Sequence, residues 1–435
     1  MVRQEFYTIL LKQNIGVAAE PVILVGERVR KGQTIAVIPK DSLGVPIHAS
    51  VDGIVENITM DAIVIKADKN QSSDWNPLSG ESTLELVKQA GIVGMGGAGF
   101  PTHVKLKTKL SAKGCVIVNA AECEPILSHN IERILSDSLM VVKGLQYAME
   151  VTGAAKGMIA IKEKQKPAIE KLKEVITQTS KITLHLLPDI YPLGEERAVI
   201  REVTSTLLGV SQLPSEADII VLNAETAYRI AEAVDDKKPV ITKDITVAGR
   251  IQNQDVIQVI KDVPIGTLVG EVLKSVGGCI KDYGEIIMGG PFTGKRVSLE
   301  DAITKTSGGI IATMPFLKEK RKLGLLVCAC GCSEKRMIEI ANSMEAEVVG
   351  IAYCKQAVQI KNSYKCENPG KCPGQTQKVL ELKKDGAEAL LIGNCTDCTN
   401  TVMSIAPKLH IPVHHITDGA LRAVSMKLIR KVQLK

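Results

Sequence analysis

Aromatic residues are scarce in this sequence of 435 residues: they make up 3% of it, and there is one tryptophan. Proteins that bind single-stranded nucleic acid stack the bases on aromatic side chains. This scarcity, together with a net charge of only +6 and no basic block, argues against a nucleic-acid partner. No apolar run reaches the ~18 residues of a membrane-spanning helix, and the N-terminal residues lack the apolar core of a signal peptide. We therefore expect a cytoplasmic protein without a transmembrane segment.

Glycine and aliphatic residues are plentiful, with 36 glycines and a hydrophobic content of 45%. A chain of this length holds about two to four domains. Helical and strand patterns alternate between residues 140 and 235, and again from Lys322 onward, which predicts parallel sheets covered by helices. Residues 20 to 66 show short β-branched runs between glycines, as in a barrel-sandwich module. Residues 238 to 316 are β-rich with polar turns, as in a small β-grasp domain.

We therefore predict an α/β multidomain protein of four units. They are a barrel-sandwich hybrid (lipoyl-like) module over residues 1–70, a Rossmann-like α/β domain over 75–237, a β-grasp (SLBB-like) domain over 238–316 and a cysteine-rich α/β domain over 317–435. The Asp-Lys-Ala hairpin that carries lipoate in lipoyl modules is missing. The first unit is therefore predicted to be structural rather than a lipoylated arm.

A glycine-rich loop within residues 91–105 is the first candidate binding site. Four glycines fall in six residues, and a helix start and Lys105 follow. Bare backbone amides and a lysine suit a phosphate group. The loop follows a predicted helix, whereas the dinucleotide fingerprint follows a strand, so this is not that fingerprint. A set of tight turns without a ligand is the alternative. After a predicted strand over 116–118, Asn119 and Glu122 offer groups for hydroxyls or ring nitrogens.

Polar residues also stand at the ends of two later elements. Glu195 and Glu196 lie at a predicted helix start, where the helix dipole alone can explain two carboxylates. Asn223 and Thr226 directly follow a predicted strand. That is the carboxyl edge of the sheet, where open α/β sheets bind ligands.

In these motifs the sequence resembles the RnfC subunit of the Rnf electron-transport complex and, more remotely, the FMN- and NADH-binding subunit of respiratory complex I. The resemblance runs from about residue 20 to 316, and it depends on the joint occurrence of the glycine loop, the segments 119–125 and 221–226, the turn 191–196 and Gly289-Gly290-Pro291. It implies an NADH-dependent oxidoreductase with FMN as its cofactor. It also implies a peripheral association with a membrane complex.

The resemblance also implies the residues of each binding site. FMN would be lined by Gly94, Gly96, Gly97, Lys105, Asn119, Glu122, Gly194, Asn223 and Thr226. NADH would be faced by Phe100, Glu124, Glu195 and Glu196. Ala121 replaces an aspartate of the complex I segment. This departure leaves open a second function, a non-catalytic scaffold or adaptor protein that keeps the fold without the flavin.

Cysteines are concentrated near the C-terminal end. Eight of the 11 lie between residues 328 and 398: Cys328, Cys330, Cys332, Cys354, Cys366, Cys372, Cys395 and Cys398. Such clustering in a cytosolic chain favours metal or redox chemistry over a disulfide scaffold. Three interpretations stay open: an iron–sulfur cluster such as 4Fe-4S, a redox dithiol and tetrahedral zinc. Helices predicted over 333–344 and 399–406 would place Cys332 and Cys398 at helix N-termini, which lower a thiol pKa.

The two ferredoxin-type repeats that follow in the RnfC protein are missing from this chain. The cysteine-rich unit stands in their place. This combination resembles the PrdC-type electron-transfer proteins that are associated with D-proline reductase. The resemblance implies that electrons pass from NADH through FMN and the late cysteines to a partner reductase, D-proline reductase.

Overall fold

The computed structural model describes residues 3–177, 181–252, 255–361 and 363–430. Residues 1–2 of the first predicted unit and 431–435 of the last lie outside the described residues. The described chain contains six sheets that follow one another from the N-terminal to the C-terminal unit. None of its helices is long and apolar enough to cross a membrane. The exact domain boundaries given above stay predictions.

The N-terminal unit consists of two antiparallel sheets. Its strands are β1 (Phe6–Leu10), β2 (Glu20–Pro21), β3 (Arg28–Val29), β4 (Thr34–Val37), β5 (Ile47–His48), β6 (Gly53–Ile58) and β7 (Ala62–Ala67). They pair in the orders β1-β7-β6-β3 and β2-β4-β5. Ile9, Ile35 and Ile63 are fully buried in one aliphatic core that both sheets share, because alternate side chains of a half-buried strand point inward.

The second unit is a parallel sheet covered by helices, as predicted. Its elements are α1 (Thr83–Gln89), α2 (Thr102–Leu106), β8 (Cys115–Ala120), α3 (His129–Thr152), β9 (Lys156–Lys162), α4 (Lys166–Ile176), β10 (Ile182–Leu187), α5 (Glu196–Thr204), β11 (Ile219–Asn223) and α6 (Ala224–Asp235). The strand order is β10-β9-β8-β11. Since β8 and β11 are neighbours, Asn119 and Asn223 pair in register at the carboxyl edge.

The helix that precedes the glycine loop has clear start and stop signals. Ser82 and Glu85 form a capping box at the first turn of α1. Gly91 ends the helix with φ +69°, a left-handed conformation that a glycine adopts without strain. The prediction that the loop follows a helix, and not a strand, is therefore confirmed.

The third unit is a mixed sheet with one short helix. Its elements are β12 (Thr242–Gly249), β13 (Ile257–Pro264), α7 (Val269–Ser275), β14 (Ile286–Met288), β15 (Lys295–Val297) and β16 (Gly309–Ala312). The strand order is β13-β12-β16-β14-β15, with β12 and β16 parallel. Its assignment to the β-grasp class stays a prediction. Arg133 of α3 fixes the sheet to the second unit by donating to both carboxylate oxygens of Asp244, at 2.6 and 2.7 Å.

The C-terminal unit is a second parallel sheet. Its elements are β17 (Leu323–Val327), α8 (Glu334–Ser343), β18 (Val348–Tyr353), β19 (Ala357–Ile360), β20 (Ser363–Cys366), α9 (Thr376–Lys384), β21 (Ala389–Ile392), α10 (Thr396–Ile405), β22 (Val413–His415) and α11 (Asp418–Ala423). The strand order is β18-β17-β21-β22, and β19 and β20 form a separate hairpin. Helix α10 begins at Thr396, three residues before the predicted start. Cys328 follows β17, and Cys395 follows the neighbouring parallel strand β21. Both cysteines therefore lie at the carboxyl edge of this sheet.

Candidate functional site

The glycine loop presents a surface without side chains. Gly96, Gly97 and Ala98 are exposed. A Cβ atom at Gly97 would meet no protein atom within 4 Å, whereas one at Gly96 would lie 2.3 Å from Nδ2 of Asn223. The loop therefore leaves open space at Gly97 and closes tightly on Asn223 at Gly96.

Thr226 and Phe100 hold this loop in place. Thr226 is fully buried, and its hydroxyl accepts from the amide of Met95 at 3.0 Å and donates to the carbonyl of Val93 at 3.2 Å. The amide of Gly94 donates to the carbonyl of Phe100 at 2.9 Å. Thr226 is predicted to line FMN and Phe100 to face NADH, and the hydrogen bonds that they form in the structure hold the loop.

Lys105 and Glu196 are brought together from separate predicted motifs. Lys105 Nζ lies 3.0 Å from Oε1 of Glu196 and donates to the carbonyl of Val221 at 3.1 Å. Their side chains are 29% and 38% exposed, so the cation lies at a surface that a ligand can reach. A phosphate beside Lys105 would compete with Glu196 for the same ammonium group.

Asn119 and Gly194 are also brought together. Asn119 Nδ2 donates to the carbonyl of Gly194 at 2.8 Å, and its Oδ1 accepts from the amide of Ala121 at 3.1 Å. A Cβ atom at Gly194 would lie 2.7 Å from Sγ of Cys123, so only glycine allows this approach. Ala121 is fully buried in an aliphatic core. Asn223 caps α6 by accepting from the amide of Glu225 at 2.9 Å.

The predicted carboxylates point in different directions. Glu122, at φ +40°, accepts from the backbone and side-chain amides of Asn130 at 2.8 and 3.2 Å. Glu124 accepts from the amides of Phe292 and Thr293, both at 2.9 Å, and burial raises its pKa. Glu195 caps α5 by accepting from the amide of Ala198 at 2.9 Å, and burial likewise raises its pKa. Each of these acids therefore has a structural hydrogen-bonding role, and Glu196 alone meets the lysine.

The late cysteines form one buried cluster. The sulfur atoms of Cys328, Cys330 and Cys395 lie within 4.8 Å of one another, and so do those of Cys328, Cys354 and Cys398. Each group contains three thiols, and Cys328 belongs to both. An iron–sulfur cluster, a redox dithiol and a tetrahedral zinc site each require at least two thiols close together, and all three interpretations therefore stay open.

Three other predicted cysteines differ in their relation to these groups. The thiol of Cys366 interacts with that of Cys330, and the thiol of Cys372 interacts with that of Cys398. Cys332 is buried but belongs to neither group. The structure thus brings seven of the eight predicted thiols into one connected set. All of the chain's cysteines are free thiols.

The expected lowering of two thiol pKa values is wrong. Burial raises the pKa of Cys332 to about 12, because desolvation outweighs the start of a helix two residues away. Neighbouring thiols, Cys328 first, raise the pKa of Cys398, because ionisation of one thiol disfavours ionisation of the next. Neighbouring thiols lower the pKa of three other cysteines: that of Cys372 to about 6, chiefly through its hydrogen bond with the Cys398 thiol, that of Cys328 chiefly through Cys330, and that of Cys395 chiefly through Cys328.

Helix α5 joins the glycine-loop site to the cysteine cluster. Its first residue, Glu196, meets Lys105, and one residue later Arg197 donates to the carbonyl of Cys366 at 2.6 Å and to that of Glu367 at 2.7 Å. Arg201, one turn further on, donates to the carbonyl of Pro369 at 2.6 Å. Sequence reasoning missed both arginines, since a buried arginine that binds distant carbonyls leaves no local pattern.

An aromatic pair lies between the two sites. The rings of Tyr191 and Phe292 stack with centroids 3.7 Å apart and an interplanar angle of 1°. The hydroxyl of Tyr191 donates to the carbonyl of Cys330. His415 meets Phe292 edge-on at 5.3 Å, and its ring nitrogens lie 2.9 Å from Thr417 Oγ1 and 2.9 Å from the carbonyl of Asn394. The pair therefore seals the space between the turn after β10 and the cysteines.

Comparisons with known proteins identify two of the units. Residues 87–232 match the model of the Nuo51 FMN-binding domain, and residues 1–72 match the RnfC barrel sandwich hybrid domain. These matches confirm the predicted barrel-sandwich module and the resemblance of the second unit to the flavin-binding subunit of complex I.

Three relatives illustrate the range of similar proteins. Cobalamin reductase PduS of Salmonella typhimurium is 40% identical over 235 residues, which are 54% of this chain and 50% of that protein. The C subunit of the Na(+)-translocating ferredoxin:NAD(+) oxidoreductase complex of Acetobacterium woodii is 31% identical, over 74% of this chain and 75% of that protein. The proton-translocating counterpart of Clostridium ljungdahlii is 33% identical, over 69% of each chain. The chain spans about half the length of the cobalamin reductases it matches.

Proposed function

Because the chain belongs to the family of the C subunits of ion-translocating ferredoxin:NAD(+) oxidoreductase complexes, we propose that it is an electron-transfer oxidoreductase. It oxidises NADH with FMN as its cofactor and passes electrons to the cysteines of its C-terminal unit. The observation that carries this proposal is the position of α5. The first residue of this helix, Glu196, meets Lys105 at the glycine loop, and the next residue, Arg197, binds the cysteine-bearing segment.

The residues present fit FMN. The open space at Gly97 is a cradle that a side chain would fill, and the exposed backbone of Gly96 and Ala98 on either side of it suits a phosphate. Lys105 is close enough to add a charge-assisted bond to that phosphate. FMN, when bound, converts two-electron to one-electron chemistry. The protein's own part is to bind and orient it, and Ala121 contributes only an aliphatic contact beneath the site.

The aromatic pair and α5 then define the side on which electrons leave. Tyr191 and Phe292 exclude water between the turn at Gly194 and the carbonyl of Cys330. Water excluded from this space cannot react with electrons that pass through it. For NADH we propose the opposite, exposed face of the loop, near Phe100 and Glu196.

The test is reduction of the bound flavin. The full chain is reconstituted with FMN and mixed with NADH under argon, and the flavin absorbance is followed. We expect bleaching on mixing. A chain that takes up FMN but is not bleached would contradict NADH as the donor. A chain that takes up no FMN would favour the alternative, a scaffold protein, for which the pairing of Lys105 with Glu196 is the supporting observation.

The electron acceptor is proposed to be D-proline reductase, on the resemblance of the C-terminal unit alone. One relative is named a cobalamin reductase, and others are subunits of Rnf-type complexes. A peripheral place in a membrane complex is proposed on the same ground. NADH-reduced protein mixed with purified D-proline reductase should be reoxidised in the presence of D-proline, and reoxidation by cobalamin alone would favour the other acceptor.

A further inference from the structure

Seven thiols, all buried except the partly exposed Cys372, divide into two groups of four that share one member. The first group is the close trio of Cys328, Cys330 and Cys395 with Cys366 beside Cys330, and the second is the close trio of Cys328, Cys354 and Cys398 with Cys372 beside Cys398. We propose that these groups form a binuclear metal site, in which two thiophilic ions of the zinc or iron class are each bound by four thiolates and Cys328 bridges the two. This inference deepens the proposed function at its cysteine unit, but it depends on the thiols and not on the flavin.

The spacing of the sulfur atoms fits ligands that share an ion. With metal–sulfur bonds of about 2.3 Å, two sulfurs on one tetrahedral ion lie roughly 3.8 Å apart. The thiols of each three-membered group lie within 4.8 Å of one another. In a four-iron cluster each thiolate binds a different iron and points outward, which separates the ligand sulfurs more widely. The geometry therefore favours thiolates around single ions.

Topology explains why five of the seven residues meet. Cys328 and Cys330 follow β17, Cys354 follows β18, and Cys395 precedes α10 directly after β21. These three strands are neighbours in a parallel sheet, so their carboxyl ends lie at one edge. The hairpin of β19 and β20 brings Cys366 to the same place. Three strand ends and one hairpin thus bring the thiols together at one edge of the sheet.

Gln375 supplies a second, independent observation. This side chain is fully buried, and its Nε2 lies 3.2 Å from Sγ of Cys354, 3.3 Å from that of Cys372 and 3.6 Å from that of Cys398. All three sulfurs belong to the second group. An amide that donates to sulfur stabilises thiolates, as the outer hydrogen bonds of metal sites do. Thiolates buried together require cations to offset their charge.

Other buried polar groups adjoin the same space. Oε1 of Gln375 and both side-chain heteroatoms of Asn394 are buried without a hydrogen-bond partner among the described residues. Asn394 directly precedes Cys395, the residue that caps α10. The N-terminus of this ten-residue helix faces the first group and favours negative charge there. The amide of Gln375 therefore favours negative charge on the second group, and the dipole of α10 favours it on the first.

The test is the metal content of the full chain, purified under argon, together with its acid-labile sulfide and its FMN content. We expect about two ions per chain and no sulfide. Sulfide in proportion to iron, a single ion, or a metal-free chain would each overturn the proposal. Two irons would support both this site and the electron route proposed above. Two zinc ions would support the site but remove the cysteines from that route, since zinc is not redox-active.

Single substitutions distinguish the two groups. Cys330→Ala and Cys398→Ala should each lower the metal content about twofold, whereas Cys328→Ala should affect both ions. Cys332→Ala is the matched control, because Cys332 is buried in the same run of cysteines but belongs to neither group. Equal loss of metal in Cys332→Ala would contradict the assignment. FMN uptake should be unchanged in all four variants.

The shared thiolate can also be tested without substitution. Cadmium replaces zinc or iron at thiolate sites, and cadmium NMR resolves each ion. The wild-type chain should give two resonances that are scalar-coupled through the sulfur of Cys328. Two uncoupled resonances, or one, would overturn the bridging role.

Discussion

The glycine-loop site and the cysteine cluster are built in different ways. The loop site depends on backbone: the exposed residues Gly96, Gly97 and Ala98, in a loop that is held from behind by the buried hydroxyl of Thr226. The cysteine cluster depends on side chains that come from strand ends and a hairpin far apart in sequence. The loop site takes its exposed groups from one stretch of backbone, whereas the side-chain site requires distant parts of the unit to come together. The two sites should therefore differ in their sensitivity to mutation.

Arg197→Met should have the largest effect of the substitutions considered, because it removes the hydrogen bonds that join α5 to the cysteine-bearing segment. Arg197 is buried and donates to the carbonyls of Leu208, Cys366 and Glu367. Loss of a charged donor that leaves buried acceptors unpaired should lower the free energy of unfolding by about 3 kcal/mol, measured by chemical denaturation. Arg28→Met is the control: Arg28 is exposed and pairs with Asp68, so we expect a change below about 1 kcal/mol. Equal stability of the two variants would show that α5 does not hold the cysteine unit.

Gly97→Ala should weaken FMN binding without affecting the fold. A Cβ atom there meets no protein atom within 4 Å, so the melting temperature should stay the same. If FMN fills that space, the added methyl should reduce affinity by about 2 kcal/mol, or about 30-fold, measured by fluorescence titration. Gly209→Ala is the control, since its Cβ would have only ordinary contacts at 3.9 Å. Unchanged FMN affinity in Gly97→Ala would place the cofactor elsewhere.

The same contrast explains how much could be predicted from the sequence. The loop, the helix before it and the strand near Asn119 are local features, and the structure contains each, although β8 extends to Ala120 and so includes Asn119. That Asn119 and Asn223 are in register depends on the strand order, which no local pattern contains. The partners of Glu122 and Glu124 could not be predicted either, because they lie on α3 and on the turn near Phe292.

The cysteine cluster was harder to predict for the same reason. Sequence showed that eight cysteines fall close together, but not that Cys328 joins two groups or that Cys332 lies outside both. The expected pKa effects were wrong because helix position was considered without burial or neighbouring thiols. Gln375, which contacts three sulfurs, has no signal in the sequence.

Lys105→Met should reduce FMN affinity less than Gly97→Ala. The ammonium group is partly neutralised by Glu196 and 29% exposed, so its net contribution to phosphate binding is about 1.5 kcal/mol, or roughly tenfold. The loss should shrink at high salt, because exposed charges are screened. Lys143→Met is the control, since Lys143 forms a similarly exposed pair with Asp235 far from the loop. An affinity that does not depend on salt in the wild type would argue against a phosphate beside Lys105.

Phe292→Leu should have the smallest effect and would show what the aromatic pair does. The stack on Tyr191 contributes about 1 kcal/mol beyond the area it buries, and leucine fills most of the volume, so stability should fall by about that amount. Flavin reduction by NADH should be unchanged, because the ring lies on the cysteine side of Gly194. Electron delivery to the cysteines should slow if the rings keep water out of the path. Phe100→Leu, on the loop itself, is the control: it should alter the reaction with NADH and leave delivery intact. If both variants slow the same step, the two regions do not divide the electron path between them.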